Sequence, residues 1–272
     1  GSEVLKYEDV AEPQLVGGDL LIETQAIGLN FIDTYHRSGA YSVELPFRPG
    51  MEASGVVTAV ASDVQGFEVG DLVAWGFSGG SYAELVRVPA DKAIKVPAGV
   101  SAQQAAAIML QGMTAHYLVE STFPIKAGQT ALVHAAAGGV GQLLCQLIAL
   151  KGATAIATVS TEAKAEIARA AGAAHVIRYD REDIVARVRE LTGGAGVDVV
   201  YDGVGKDTFD ASLASLKPRG MLALFGASSG PVPPFDLQRL NSGGSLFVTR
   251  PTLGHHLRTR EEFEWRAGDI FN

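Results

Sequence analysis

The sequence predicts an α/β fold in two parts, a β-rich domain followed by a doubly wound parallel sheet. In the first 111 residues, short apolar runs alternate with polar positions and are broken by Gly and Pro, as in half-buried strands. From residue 129 onward, apolar strand-like runs alternate with stretches of helical spacing, which is typical of βαβ units. One of these units carries a glycine turn between its strand and its helix.

The first part, residues 1–111, has glycine-rich loops and several runs that match strands. Because polar and apolar residues alternate in these runs, each strand would bury one face against a core. The predicted strands cover residues 20–27, 54–60, 72–75, 82–88 and 93–96.

The second part, residues 112–258, repeats the order of strand, helix and strand. Gly152 and Gly172 are expected to end the first two helices, and Asp180 is expected to cap the third. The strands are predicted at 131–135, 155–159, 175–177, 197–201 and 221–225, and the helices at 142–150, 162–171, 181–192 and 209–216. At least five strands therefore form one sheet. A last helix, 260–271, is predicted within the segment 259–272.

The composition and charge of the chain exclude several classes of function. The 272 residues carry a formal net charge of −8 and are 47% hydrophobic, which fits a compact folded protein and disfavours nucleic acid as a partner. Since no run reaches about 20 apolar residues and the first residues carry no secretory signal, no membrane association and a cytoplasmic location are expected. The single cysteine, Cys145, excludes a disulfide framework and a zinc cluster of several cysteines.

The glycine turn predicts a dinucleotide site. It reads HAAAGGVG over residues 134–141 and stands between a predicted strand and a predicted helix. In a dinucleotide fold this turn must be tight, and its backbone must approach a pyrophosphate at the helix N-terminus. Gly138 and Gly141 match the second and third glycines of the G-x-G-x-x-G pattern, and Ala136 replaces the first. The alternative is a turn that only joins strand to helix.

The end of the second strand of this sheet favours NADP(H) over NAD(H). NAD enzymes place a carboxylate there to bind the ribose 2′-hydroxyl. Here the strand ends in TVST over residues 158–161, without a carboxylate, and Lys164 follows within a turn. Hydroxyl groups and a lysine can bind a 2′-phosphate. The alternative, that Lys164 lies on a solvated helix face, is supported by the nearby Glu162.

Four runs resemble the quinone oxidoreductases related to zeta-crystallin, within the medium-chain dehydrogenase/reductase superfamily. They are AIGLNFIDTY at 26–35, HAAAGGVG at 134–141, VVYDGVG at 199–205 and VTRP at 248–251. The resemblance covers nearly the whole chain and implies a GroES-like catalytic domain followed by a Rossmann domain. Compared with the family pattern, the chain begins late and stops inside the helix 260–271, so the rest of the catalytic domain is expected to be absent.

The same resemblance implies the residues of the site. Ser160, Lys164 and Tyr179 would surround the 2′-phosphate, and Gly139 and Val140 would meet the pyrophosphate between Gly138 and Gly141. Asn30, Tyr35 and Tyr41 would face the nicotinamide and the acceptor. Further positions along the cofactor cleft are Thr114, Gly203, Phe225, Gly226, Ser228 and Arg250. The family also implies a homodimer, which we expect to form through the edge of the cofactor sheet near 245–249.

The residues at the zinc positions of related alcohol dehydrogenases predict a zinc-independent reaction. The places that match the metal-binding Cys and His hold Asn30 and Met51, an amide and a thioether that suit zinc poorly. The six histidines are interpreted as surface or structural residues, and Cys145 as a core residue.

Without a Lewis acid, an acceptor already activated by conjugation is favoured. The prediction is therefore hydride transfer from NADPH to a quinone, without flavin or metal, in which Asn30 and Tyr35 or Tyr41 stabilise the phenolate. Two alternatives stay open. One is an NADPH-dependent alkenal or enone reductase, and the other is an NADPH-binding protein with little catalysis, of a crystallin-like or RNA-binding kind.

Overall fold

The computed structural model describes residues 2–272 and confirms the predicted α/β class. It divides into two compact units. The first contains the residues up to Met113 together with His256–Asn272, and the second contains Thr114–His255. The sequence predicts these boundaries after residues 111 and 258. Within the described residues, no helix combines the length and the apolar character that crossing a bilayer requires.

The first unit is built on a five-stranded antiparallel sheet. Alternate residues of its strands, such as Leu20, Ile22 and Trp75, are fully buried, which explains the polar and apolar alternation in the sequence. In sheet order the strands are β4, β1, β2, β3 and β5. Their bounds are β1 Asp19–Ile27, β2 Glu52–Val60, β3 Leu72–Gly76, β4 Leu85–Pro89 and β5 Ala93–Lys95.

Two helices of the first half were missed by the sequence analysis, which expected mainly strands there. Helix α1 (Phe31–Ser38) has only eight residues, and α2 (Ala102–Tyr117) is rich in Ala and Gln and continues into a π-helical turn, Leu118–Thr122. Helix α1 is amphipathic and carries a capping box formed by Asn30 and Asp33, but it is too short for its spacing to stand out from the strands around it. Helix α2 is only weakly amphipathic, so its pattern gives little signal. The strand predicted at 82–88 begins three residues later, at Leu85.

The second unit is a six-stranded parallel sheet with helices between its strands. In sheet order the strands are β11, β10, β9, β6, β7 and β8. The strands are β6 Thr130–Val133, β7 Thr154–Val159, β8 His175–Arg178, β9 Val197–Asp202, β10 Leu216–Leu224 and β11 Phe247–Thr249. The helices are α3 Gly139–Leu150, α4 Glu162–Ala170, α5 Ile184–Leu191, α6 Phe209–Ser215 and α7 Gln238–Ser242. The helix α8 (Arg260–Phe271) groups with the first unit.

The predicted cap of the third helix of this unit is wrong. Helix α5 begins at Ile184 rather than at residue 181, and the side chain of Asp183 caps it by accepting from Ala186 N at 2.8 Å. Asp180 instead accepts two hydrogen bonds from the Arg178 guanidinium, at 2.9 and 2.7 Å. A bidentate pair with a guanidinium satisfies the Asp180 carboxylate better than a single backbone N–H would. The next aspartate, Asp183, therefore caps the helix.

The strand order of the second unit fixes where a ligand can bind. The chain runs outward from β6 to β7 and β8, then returns to β9 on the other side of β6. A crevice opens at the carboxyl ends of the strands where the order reverses, and ligands of open α/β sheets bind there. The glycine turn follows β6 at this point.

Candidate functional site

The glycine turn forms a cradle at the start of α3. Gly138 is the N-cap residue with extended backbone, and the first helical bond runs from Gln142 N to Gly138 O at 2.9 Å. The N–H groups of the first three helical residues, 139–141, precede this bond and lie at the open end of the helix. They are therefore placed to bind an anion. A Cβ on Gly141 would lie 2.4 Å from Ala135 O and 2.7 Å from Ala136 Cα. The backbone is therefore packed against itself too closely for a side chain at residue 141, as a tight dinucleotide-binding turn requires.

The residues predicted for the 2′-phosphate lie together at the end of β7. Lys164 Nζ donates to Ser160 Oγ at 3.2 Å, and Thr161 caps α4 by accepting from Lys164 N. Tyr179 is placed by the strand next to β7, because its N–H donates to Val159 O at 3.2 Å, and its side chain is 51% exposed. A lysine, two hydroxyl groups and a phenol thus share one edge of the sheet.

Glu162, the acidic residue near this edge, forms ion pairs with two arginines. Its two carboxylate oxygens accept from Arg169 Nη1 at 2.7 Å and from Arg178 Nη1 at 3.1 Å. These hydrogen bonds hold the pKa of the Glu162 carboxyl below its usual range, so the group is ionised and its charge is matched by two guanidinium groups. Lys164 itself lies on an exposed face of α4.

The loops after β9 and β10 approach each other closely, at glycines predicted for the cofactor cleft. A Cβ on Gly226 would lie 2.4 Å from Gly203 O, and Ser228 N donates to the same carbonyl at 3.2 Å. The ring of Phe225 lies 3.0 Å from the Cβ position of Gly203. Arg250, just after β11, donates to Leu224 O at 3.1 Å. Thr114, the remaining predicted position of this unit, lies in α2.

A buried polar network that the sequence analysis missed holds these strand ends. Asp202 closes β9 and accepts from the N–H groups of Val204 and Gly205 and from the hydroxyls of Thr208 and Ser212. Because Ser212 donates to Asp202, it accepts from His134 Nε2, which lies 3.0 Å away. His134 Nδ1 then accepts from Thr158 Oγ1 at 2.9 Å. Burial lowers the pKa of His134, consistent with this neutral tautomer.

The residues predicted to face the acceptor belong to the first unit. Asn30 is the N-cap residue of α1, and the rings of Tyr35 and Tyr41 lie in a tilted contact with centroids 5.0 Å apart. Tyr41 is 39% exposed, and Phe31 packs edge-on against Tyr35 at 5.2 Å. Aromatic rings in this geometry form an apolar surface with hydroxyl groups at its edge.

Asn30 is tied to a carboxyl group that the sequence analysis did not single out. Its Nδ2 donates to Glu52 Oε1 at 2.6 Å, and Glu52 Oε2 accepts from Leu110 N at 2.5 Å. Glu52 has no exposed surface, and burial raises its pKa to about 7, with Asp33 adding to the shift. The available signal was a lone acidic residue at the start of the buried strand β2.

The raised pKa of Glu52 predicts that folding stability falls as pH rises from about 5 to 7. The folded protein holds this proton up to about pH 7, whereas the unfolded chain releases it near pH 4.5. The free energy of unfolding therefore decreases as pH rises between these two values. The full effect is at most about 3 kcal/mol. Urea unfolding at pH 5.5 and 7.5 measures it. Glu52→Gln should remove most of the difference, and equal pH slopes in the two proteins would contradict the assignment.

Cys145 lies in the core, as predicted. It is fully buried in α3, and burial raises the pKa of its thiol to about 12. A thiol that stays protonated is a poor nucleophile. Cys145 therefore takes no part in the site.

Comparison with known proteins places both units in described families. A family model described as zinc-binding dehydrogenase matches residues 139–269, and one described as alcohol dehydrogenase GroES-like domain matches residues 17–98. Quinone oxidoreductase 1 of Escherichia coli is 45% identical over 100% of this chain and 84% of its own length. The 2-haloacrylate reductase of a Burkholderia species is 43% identical over the same shares. A solved mycobacterial protein complexed with NADPH has a TM-score of 0.97 and 53% identity, covering 100% of this chain and 84% of its own.

Zinc, which one family description names, does not fit the residues present. The Asn30 amide donates its N–H to Glu52, and its remaining ligand atom is a neutral carbonyl oxygen, whereas zinc sites use thiolate, imidazole or carboxylate groups. The neighbouring Met51 brings only a soft thioether. Within residues 2–272, no group of three or more His, Cys, Asp or Glu side chains is arranged to hold a metal ion.

Proposed function

We propose that this chain, which belongs to the quinone oxidoreductase family of the medium-chain dehydrogenase/reductase superfamily, is an NADPH-dependent enzyme that reduces a quinone. The observation that carries the proposal is the cradle at Gly141, where no side chain fits and the helix start is left open for a diphosphate. Three curated relatives that are 45% identical over this whole chain are named quinone oxidoreductases, and these names favour a quinone over the enone alternative.

The second unit supplies the residues that bind the cofactor. The N–H groups of Gly139 and Val140, at the open end of α3, would bind the pyrophosphate between Gly138 and Gly141. Ser160, Lys164 and Tyr179 would hold the 2′-phosphate. We assign the remaining contacts to Thr114, Gly203, Phe225, Gly226, Ser228 and Arg250. When bound, NADPH supplies the hydride that reduces the acceptor.

The first unit supplies the groups that act on the acceptor. Hydride addition to a quinone leaves a phenolate, and one further proton completes the hydroquinone. The Asn30 amide and the Tyr35 or Tyr41 hydroxyl would donate hydrogen bonds to the phenolate oxygen. The cluster of aromatic rings would hold the flat acceptor and exclude water from one face. The last proton would come from water.

A stopped-flow assay with matched panels of quinones and enones tests this function. We expect NADPH oxidation with quinones and much slower oxidation with enones and with NADH. Equal turnover of quinones and enones would remove support for the quinone assignment. Tight NADPH binding without oxidation by any acceptor would favour the binding protein with little catalysis.

Replacing Lys164 by Ala should weaken NADPH binding about tenfold to a hundredfold, because a charge-assisted contact to the 2′-phosphate is lost. NADH affinity should change less than about twofold, since NADH carries no such phosphate. Fluorescence titration with both cofactors measures the ratio. Lys126→Ala removes an exposed lysine at the opposite end of β6 and is the matched control. Equal losses for both cofactors would overturn the 2′-phosphate assignment.

A homodimer is also proposed, formed through the edge strand β11. Among the described residues this strand pairs with β10 alone and forms the edge of the sheet, and Phe247 on it is 56% exposed. Sedimentation should give the dimer mass, and Phe247→Glu should shift it toward the monomer. A monomeric wild-type mass would refute the dimer. The proposed compartment is the cytoplasm, where fractionation of cells should recover the activity.

A further inference from the structure

Three neighbouring strands of the second unit, β7, β6 and β9, stop pairing with one another at the same level. The last paired residues are Val133 and Tyr201 between β6 and β9, and Val133 and Ala157 between β6 and β7. The next residue along each strand belongs to the buried polar network, and these residues are Thr158, His134 and Asp202. Side chains therefore continue the connection between the strands where the backbone pairing ends.

The network forms one continuous path of hydrogen bonds. Thr158 Oγ1 lies 2.9 Å from His134 Nδ1. Ser212 Oγ lies 3.0 Å from His134 Nε2 and donates to Asp202 Oδ2 at 2.8 Å. All four residues are at most 1% exposed, so water from outside does not compete for these bonds. Because each inner member binds a neighbour on both sides, removal of one hydroxyl group opens the path.

One end of the path holds the part of the cleft assigned to the pyrophosphate and the 2′-phosphate. Thr158 O accepts from Ala136 N, inside the glycine turn, at 3.3 Å. Two residues later the strand reaches Ser160, which accepts from Lys164 Nζ. The position of Thr158 therefore affects both phosphate sites.

The other end of the path holds the loops after β9 and β10. Asp202 O accepts from Phe225 N at 2.8 Å and from Gly226 N at 3.3 Å. The Asp202 carboxylate accepts from Val204 N at 2.8 Å and from Gly205 N at 3.0 Å. The position of Asp202 therefore affects the part of the cleft assigned to the rest of the cofactor.

We propose that Thr158, His134 and Ser212 are positioning residues for NADPH, and that they act together to hold the two ends of its site at a fixed separation. The inference rests on the proposed function, in which NADPH lies along this cleft. A whole dinucleotide contacts both ends at once, so it binds best when their separation is set in advance. A fragment that reaches only one end does not depend on that separation.

The first test removes one hydroxyl group from the path. Thr158→Val keeps the shape of the side chain, and we expect it to weaken NADPH binding about tenfold, because the two ends must then be ordered on binding. Binding of 2′,5′-ADP, which reaches only the phosphate end, should change less than about twofold. Fluorescence titration with NADPH and calorimetry with 2′,5′-ADP measure the two affinities. Equal losses of both ligands would mean that the network only folds the unit, and would overturn the inference.

Two control variants accompany this test. Thr158→Ser keeps the hydroxyl group and should restore NADPH binding to within about twofold of the wild type. Thr154→Val makes the same change at the opposite end of β7, away from the network, and should leave both affinities unchanged. An NADPH affinity in Thr158→Ser as weak as that in Thr158→Val would show that the hydroxyl group is not the cause, and would contradict the proposal.

The second test opens the path at another point, and it also serves if Thr158→Val does not fold. Ser212→Ala should weaken NADPH binding about tenfold and leave 2′,5′-ADP binding unchanged. A path that is already open cannot be opened again, so the double variant should bind NADPH as weakly as either single variant. Losses that add to about a hundredfold would indicate two local effects and would overturn the inference.

These titrations contain no quinone, which separates the inference from the proposed function. A wild type that binds NADPH but reduces no quinone would contradict the proposed function. The affinities of the variants for NADPH and for 2′,5′-ADP would still decide whether the network holds the two ends of the site.

Discussion

Replacing Gly141 by Ala should reduce NADPH affinity more than a hundredfold. The added Cβ would lie within 3 Å of three backbone atoms in Ala135 and Ala136, and none of them belongs to a flexible side chain. The turn must therefore open, which moves the N–H groups at the start of α3 away from the pyrophosphate. A hundredfold loss corresponds to about 2.8 kcal/mol, a reasonable cost for misplacing several donors at once. Fluorescence titration with NADPH measures the affinity directly.

Two further glycines make this experiment specific. Gly268→Ala places the same methyl group on α8, where nothing lies within 4 Å, so NADPH affinity should not change. Gly138→Ala should have an intermediate effect, because its Cβ would meet only Ala135 O, at 3.2 Å. Wild-type affinity in Gly141→Ala would mean that the cofactor does not lie against this turn.

The region around Gly141 is also where the sequence predicted the structure best. A short apolar run, a glycine turn and an apolar helix each follow a different local rule, and all three agree on one βαβ unit. The strand β6 and helix α3 lie within three residues of the predicted bounds. The adjacent edge at Ser160 and Lys164 was predictable as well, because it depends on which residue type follows a strand.

The first unit was less predictable because its important contacts join distant parts of the chain. Glu52 and Leu110 are 58 residues apart, and no local sequence pattern at either residue predicts the hydrogen bond between them. Helix α1 is short, and its N-cap residue, Asn30, was interpreted only through the family resemblance. In the second unit, Asp180 and Asp183 have similar local signals, and only the position of Arg178 decides between them.

Replacing Asn30 by Ala should lower kcat for quinone reduction about a hundredfold, as expected for removing one preorganised donor from the site of charge development. NADPH affinity should fall far less, since the pyrophosphate and 2′-phosphate contacts lie on the second unit. Steady-state kinetics with a saturating quinone, combined with NADPH titration, separate the two effects. Asn241→Ala, at an exposed position of α7, is the control.

The structure also gives Asn30 a folding role, and the same variant separates that role from the chemical one. Asn30 starts α1, and its amide is one of the two donors that satisfy the buried Glu52. Loss of this donor should therefore cost about 1 to 3 kcal/mol of stability even if Asn30 never meets the acceptor. A stability loss with kcat unchanged would reduce Asn30 to a cap and a partner of Glu52. In that case the phenolate would have to be stabilised by Tyr35 or Tyr41, and replacing each by Phe would show which one.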